Sequence, residues 1–198
     1  RLGVRVIGLS RQGARVQVAT DDGAVLDAEH VVLTTPTEQT VTLLEGLDAD
    51  RSVRAACFQL GRAATVACLT VIALYEADAP DPGFDALRPD AGHPLALVLH
   101  DSAKRRAPQH RALVLQAAPA WSRAHLEEEP GVWCSALCDA AAALVGPWVG
   151  APRAVQAHRW RHARIDPVYA LRGPVLLGSA GARIVLTGEA FHEGAGVQ

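Results

Sequence analysis

Apolar and polar residues alternate from Val4 to Leu9 and again from Arg15 to Thr20. That is the period of two expected of a half-buried strand, whose successive side chains leave opposite faces. Asp21-Asp22-Gly23 separates the second run from Ala24-Val25-Leu26 and is a hairpin signal, so the chain opens as a β-meander. Val31-Val32-Leu33-Thr34 is a continuous run suited to a buried strand. Pro36, followed by Glu38, Val41, Leu43 and Leu44, predicts a passage from that strand into a helix with proline in its first turn. Such a strand end is a place to expect a ligand.

Residues 46 to 62 read as helical or irregular, and Ala63 to Leu74 as a long apolar strand. Pro, Asp and Gly crowd the segment from Glu76 to Pro94, which marks a loop. Leu95–His100 and Ala112–Ala117 are two further strands, and the polar stretch from Asp101 to Arg111 joins them as an antiparallel pair. Pro119 to Glu129, through Trp121, Ser122, His125 and Leu126, predicts a short helix; Val132 to Val145 predicts a longer one ended by Gly146-Pro147. Ala154 to Ala163 alternates again, placing His158, Trp160 and His162 on one face and Arg159 and Arg161 on the other. Val175-Leu176-Leu177 and Ile184-Val185-Leu186 flank a Gly-rich turn, and no internal repeat or low-complexity tract stands out.

The last strand runs into a second Gly-rich stretch. Gly188, Gly194 and Gly196 lack a Cβ, so the backbone there is free to take positive φ and approach a ligand closely, and helix-initial amides beyond such a turn favour a phosphate. The pattern is that of half a nucleotide site.

With 198 residues, 49% hydrophobic and 20% charged, the chain can bury a substantial core in one or two domains. Its net charge of −2 supplies no basic field for nucleic acid or an anionic membrane, and no apolar run reaches the roughly 18 residues of a membrane span. The expected location is the cytoplasm, with a small molecule as partner. There is no Met and the first residue is Arg1, which reads as an internal or truncated piece. Cys57, Cys68, Cys134 and Cys138 fit no CxxC pattern, and core thiols in a reducing compartment are expected. Cys134 and Cys138 with His125 lack an evident fourth ligand, so no metal site is expected.

Four stretches together resemble the C-terminal portion of the renalase-like branch of FAD-dependent amine oxidoreductases. They are Ala28-Glu-His-Val-Val-Leu-Thr-Thr-Pro36 with Leu43-Leu44, Asp101-Ser-Ala-Lys-Arg105, His158-Arg-Trp-Arg-His-Ala163, and Gly188-Glu-Ala-Phe191. The resemblance spans nearly the whole chain, although the family's GxGxxG phosphate turn does not occur in it. It implies an α+β fold: an antiparallel β-sheet substrate domain with helices, joined to the β-meander and return strand of an FAD/NAD(P)-binding, Rossmann-like domain. Residues 1–45 would be the meander and strand-helix piece of the FAD-binding domain, 46–172 the substrate domain, and 173–198 the return segment.

The resemblance further implies FAD as cofactor, contacted by Thr35, Pro36, Gly188, Glu189, Phe191, Gly194, Gly196 and Val197. The family carries Gly-Asp where Gly188-Glu189 stands, and the longer Glu changes the reach of that carboxylate. The implied reaction is hydride transfer from a reduced substrate, a dihydronicotinamide dinucleotide isomer or an amine, to flavin and then to oxygen. The first donor is the favoured one. His158, Trp160 and His162 are candidates for one wall of the substrate pocket. Lys104 and Arg105, in a basic cluster with Arg106 and Arg111, are candidates for binding a pyrophosphate. No residue is singled out for bond-making, because the cofactor carries that chemistry. Without the phosphate turn, these 198 residues are expected not to hold FAD and to be inactive. Two alternatives stay open: a flavin monooxygenase or desaturase on the same scaffold, and a non-catalytic binding domain. Exposed sheet edges also leave oligomerisation open.

Overall fold

The computed structural model describes residues 2–47, 50–178 and 181–191. They form two compact units, one from residues 1–65 and 164–198 and the other from residues 66–163. Each is built around its own core.

The first unit opens with the expected meander, β1 (Val6–Gln12), β2 (Arg15–Thr20) and β3 (Val25–Ala28), paired antiparallel in that order. Its second sheet has the order β10 (Val175–Leu177), β11 (Arg183–Leu186), β4 (His30–Leu33). β10 and β11 are antiparallel, whereas β11 and β4 run parallel, with Ile184 opposite Val31 and Leu186 opposite Leu33. The parallel pairing accounts for the continuous apolar runs, since such strands are normally covered on both faces. Leu33, Leu177, Ile184 and Leu186 are buried on one face and share a core with Leu43 and Leu44 of α1 (Thr37–Leu44) and Val53, Ala56 and Leu60 of α2 (Arg51–Leu60). The other face carries Leu176, Val185 and Val32 in register, with Leu176 57% and Val32 61% exposed.

Asp50 starts α2. Its Oδ1 accepts hydrogen bonds from Ser52 N at 2.8 Å and Val53 N at 2.9 Å, capping amides that the helix leaves without partners. The positions Val53, Ala56 and Leu60 then fall on one stripe, which fixes the helix on the first unit's core. For this reason the compact units change over at Thr65/Val66 and Ala163/Arg164, whereas the sequence suggested 45/46 and 172/173. The helix over 51–60 buries its apolar stripe against the parallel sheet, and Asp166 N donates to Ala64 O at 3.0 Å.

The second unit is a five-stranded sheet of order β6 (Ala86–Leu87), β7 (Leu95–His100), β8 (Arg111–Ala117), β5 (Thr65–Tyr75), β9 (Ala154–Ile165). Leu69, Val71, Ala73 and Tyr75 of β5 and Leu113, Leu115 and Ala117 of β8 are buried on one face with Trp133, Leu137 and Ala141 of α4 (Pro130–Val145). The intervening residues Ile72, Leu74, Val114 and Gln116 are half-buried on the other. The short helix of the sequence reading is α3 (Pro119–Ala124), and Ser122 within it is fully buried because its Oγ accepts from Leu69 N at 3.1 Å. Strand β6 lies inside the segment read as a loop. Two residues are too few for any periodicity to declare, and the strand exists through its pairing with Val98 and Leu99.

The architecture is α+β with antiparallel sheets, as the sequence indicated. Among the described residues no helix is long and apolar enough to cross a membrane.

Candidate functional site

Strands β4 and β11 lie side by side, point the same way and end together, so the segments leaving them are brought next to each other. Thr187 N donates to Leu33 O at 2.9 Å, and a Cβ on Gly188 would stand 3.3 Å from Thr34 O. Gly188 itself has φ +118°, which side-chain-bearing residues rarely adopt. Beyond it Glu189, Ala190 and Phe191 form a 3-10 turn, with Phe191 buried in the core and Glu189 exposed. On the neighbouring strand end, Pro36 occupies the N-cap of α1 and offers no side-chain cap. Crevices outside the carboxyl ends of parallel strands are where open α/β sheets bind ligands. Five of the residues singled out for the cofactor, Thr35, Pro36, Gly188, Glu189 and Phe191, fall together at this end. Gly194, Gly196 and Val197 lie outside the described residues.

Thr35 is held firmly. Thr40 Oγ1 donates to Thr35 O at 3.0 Å, so in the hydroxyl pair 2.8 Å apart Thr35 Oγ1 is the donor and Thr40 Oγ1 the acceptor. Thr40 is almost wholly buried, and its hydroxyl thereby ties the strand end to the first turns of α1. The sequence reading missed Thr40 because nothing separates a helical threonine that holds a turn from one exposed to water.

In the second unit, His158 and Trp160 pack ring on ring, with centroids 3.9 Å apart. The face they occupy follows from their neighbours. Arg159 Nη2 donates to Glu128 O at 2.6 Å, Arg161 makes a two-pronged pair with Glu127, and Ala157 packs against the α4 side of the sheet. His158 and Trp160 therefore project from the opposite face, together with Ile72, Leu74, Val114 and Gln116. Trp160 is 50% exposed, an amphipathic ring open on one side. The open-face residues of β5 and β8 had no sequence signature, because β5 is apolar on both faces and the alternation that would sort them is lost.

Lys104 and Arg105 are not part of this surface. They end a 3-10 turn over Asp101–Lys104, and both side chains return to Asp101, Lys104 Nζ at 2.9 Å from its Oδ1. The two ammonium and guanidinium partners hold the Asp101 carboxyl below its usual range, Arg105 contributing most. Arg111, which opens the next strand, pairs with Tyr75 at the far end of β5. Arg153 N donates to Leu74 O, so Trp160, seven residues further along β9, lies well back along β5. At about 3.3 Å per residue the aromatic pair and the basic turn are separated by roughly 20 Å along the strands.

Three of the four thiols, Cys68, Cys134 and Cys138, are buried, and Cys57 is partly so. Cys134 and Cys138 are buried on α4, where burial raises both thiols, Cys138 to about 11. His125 stacks on Trp121 at 4.0 Å and its Nδ1 lies 2.9 Å from Glu128 Oε2. Glu127 and Glu128, at the end of the predicted short helix, serve as partners for Arg159, Arg161 and His125.

No described protein family matches the sequence, and no curated protein matches it. Solved structures do. Cyclohexylamine oxidase from Brevibacterium oxydans IH-35A matches with a TM-score of 0.69 at 14% identity, over 96% of this chain and 44% of its own. The proposed protoporphyrinogen oxidase of Exiguobacterium sp. 255-15 matches with a TM-score of 0.64 at 21% identity, over 82% of this chain and 35% of its own. Reduced UDP-galactopyranose mutase matches with a TM-score of 0.59 at 11% identity, over 80% and 34%. The chain thus spans less than half the length of each of these three structures. The likeness establishes the fold: this chain has the α+β architecture of a part of these enzymes.

Proposed function

We propose that a protein containing this chain is an FAD-dependent oxidoreductase that removes a hydride from a small amine. The observation that carries the reading is the parallel pair β4–β11, whose adjoining ends gather Thr35, Pro36, Gly188 and Glu189 at the place where such sheets hold a nucleotide cofactor. These residues fit that cofactor. The close approach of Gly188 to Thr34 leaves backbone, not side chains, at the crevice, and Glu189 is an exposed carboxylate able to accept from ribityl hydroxyls.

When bound, FAD supplies the acceptor for a hydride and its electron pair, and oxygen reoxidises it. The chain's own share is binding, orientation and exclusion of water. In the second unit Ile72 and Val114 present an apolar surface, Trp160 braced by His158 supplies a flat ring for a hydrocarbon substituent, and Gln116 adds an amide for orientation.

Of the two donors that the resemblance implies, this surface favours the amine. No lysine or arginine stands among Ile72, Val114, Gln116, His158 and Trp160, whereas a dinucleotide brings a pyrophosphate that requires cations. Lys104 and Arg105 are already committed to Asp101. Amine oxidation is also what the cyclohexylamine oxidase is named for. These 198 residues alone are proposed not to retain FAD.

The test is anaerobic reduction of the full-length flavoprotein by apolar amines and by dihydronicotinamide isomers. Amines are expected to bleach the visible flavin band, and Trp160→Ala to slow that bleaching by about tenfold or more, a barrier change of about 1.4 kcal/mol. Bleaching by dihydronicotinamides alone overturns the amine assignment. Unchanged rates in Trp160→Ala remove the aromatic wall.

A further inference from the structure

We propose that a cavity at the far end of the second unit's sheet binds a small zwitterion of the amino-acid class, its carboxylate inward on Arg111 and its ammonium outward between Asp81 and Asp85. The cavity measures about 520 Å³, within the usual size of small-molecule sites. His100, Ser102, His110 and Arg111 line it with the two carboxylates. It is separate from the Trp160 surface: Arg111 and its cross-strand partner Tyr75 sit on the α4 side of the sheet, and Trp160 is on the opposite face.

The inner cation of this cavity is under-compensated. The Arg111 side chain is only 18% exposed. Its Nη1 lies 3.2 Å from His100 Nε2, and because a guanidinium can only donate, that nitrogen accepts and the ring proton resides on Nδ1. A neutral imidazole, itself 8% exposed, orients the guanidinium without balancing its charge. The nearest carboxylate is Asp81, 3.8 Å away and 71% exposed, with its other oxygen accepting from Gly83 N at 2.8 Å. Arg111 Nε is buried with no acceptor at all. Buried charges and donors are normally matched, and a guanidinium held this loosely invites a carboxylate presenting two oxygens.

The rim points to the second half of the ligand. Asp81 and Asp85 are exposed there, and Asp85 makes no ion pair with any described residue. Arg105 also reaches the mouth, yet its guanidinium is held by Asp101 and does not offset Asp85. One cation inside and two carboxylates at the edge disfavour a dianion such as phosphate and suit a molecule whose charges are separated in that order.

Three matched probes test this on the 198-residue chain: leucine, 4-methylpentanoate, which keeps the carboxylate alone, and 3-methylbutylamine, which keeps the amine alone. Titration calorimetry is expected to show leucine binding about tenfold tighter than either single-charge analogue, a difference of about 1.4 kcal/mol. Arg111→Lys, which keeps the charge but loses the fork, should weaken leucine and 4-methylpentanoate alike. Asp85→Asn, an exposed change that leaves the fold intact, should weaken leucine only. Equal affinity for leucine and 4-methylpentanoate, no leucine binding at millimolar concentration, or leucine binding untouched by Asp85→Asn would each overturn the proposal.

Discussion

Single side chains decide how the two candidate surfaces are held, and Asp50 shows how much one carboxylate organises. It accepts from the Ser52 hydroxyl at 2.6 Å and from the Ser52 and Val53 amides, and Arg11 Nη1 donates to its other oxygen at 3.1 Å. The Ser52 hydroxyl, then the Val53 amide, with a smaller share from Arg11, bring its carboxyl down to about 2 from an ordinary 3.8. The folded-state value is the depressed one. The associated stability is therefore present above the unfolded value near 3.8 and disappears as pH falls through about 2. Asparagine caps a helix as well as aspartate does, so Asp50→Asn removes the charge and keeps the cap. Near neutral pH the variant should be slightly less stable in urea, on the order of 0.5 kcal/mol because the pair is half exposed. The two curves should converge as pH drops below the ordinary carboxylate range; a gap that persists there refutes the assignment. At this scale the sequence was informative where a residue type has one job. Gly188 was legible as a turn of positive φ because only glycine does this cheaply. Lys104 and Arg105 were legible only as a basic cluster, because spacing along the chain carries no information about which end of a sheet a hairpin turn occupies.

Among the elements, the parallel pair β4–β11 is the one from which most else follows. The continuous apolar runs at 31–34 and 184–186 announced buried strands, but not that they would be neighbours, since 150 residues separate Leu186 from Pro36 and no local rule spans such a loop. Its two faces should respond differently to substitution. Ile184 is wholly buried, and Ile184→Ala should cost about 2–5 kcal/mol through lost burial and the cavity left behind. Val32, two-thirds open to water on the opposite face, should tolerate Val32→Thr within about 0.5 kcal/mol. Urea unfolding of the two variants measures both, and equal losses would show that the Val32 face is covered. Helix α2 and strand β6 were the weakest parts of the sequence reading for opposite reasons. The first lies in a stretch whose apolar stripe, Val53, Ala56 and Leu60, is interrupted by charge; the second is made wholly by pairing partners.

At the scale of the molecule, the α+β class and the antiparallel second sheet were legible because hairpins and alternation are local, and the meander was found nearly strand for strand. The extent of each unit was not, because it depends on which core a helix joins. One polypeptide supplies both cores. The chain leaves the first unit along β5 and comes back along β9, and the departing Ala64 and returning Asp166 are hydrogen-bonded to each other.

Two chain crossings that meet in this way make residues 66–163 a graft, its base marked by the backbone bond from Asp166 to Ala64. To the first unit, everything between Thr65 and Arg164 is formally a long hairpin loop, and loop-closure entropy grows only slowly with length. Replacing 66–163 by a short glycine-containing turn should therefore leave the first unit folded, with the dispersed amide spectrum of an ordered protein. A collapsed spectrum would show that the two cores depend on one another. If they do not, the proposed substrate surface can be exchanged whole between proteins of this architecture while the strand ends proposed to receive the nucleotide stay untouched.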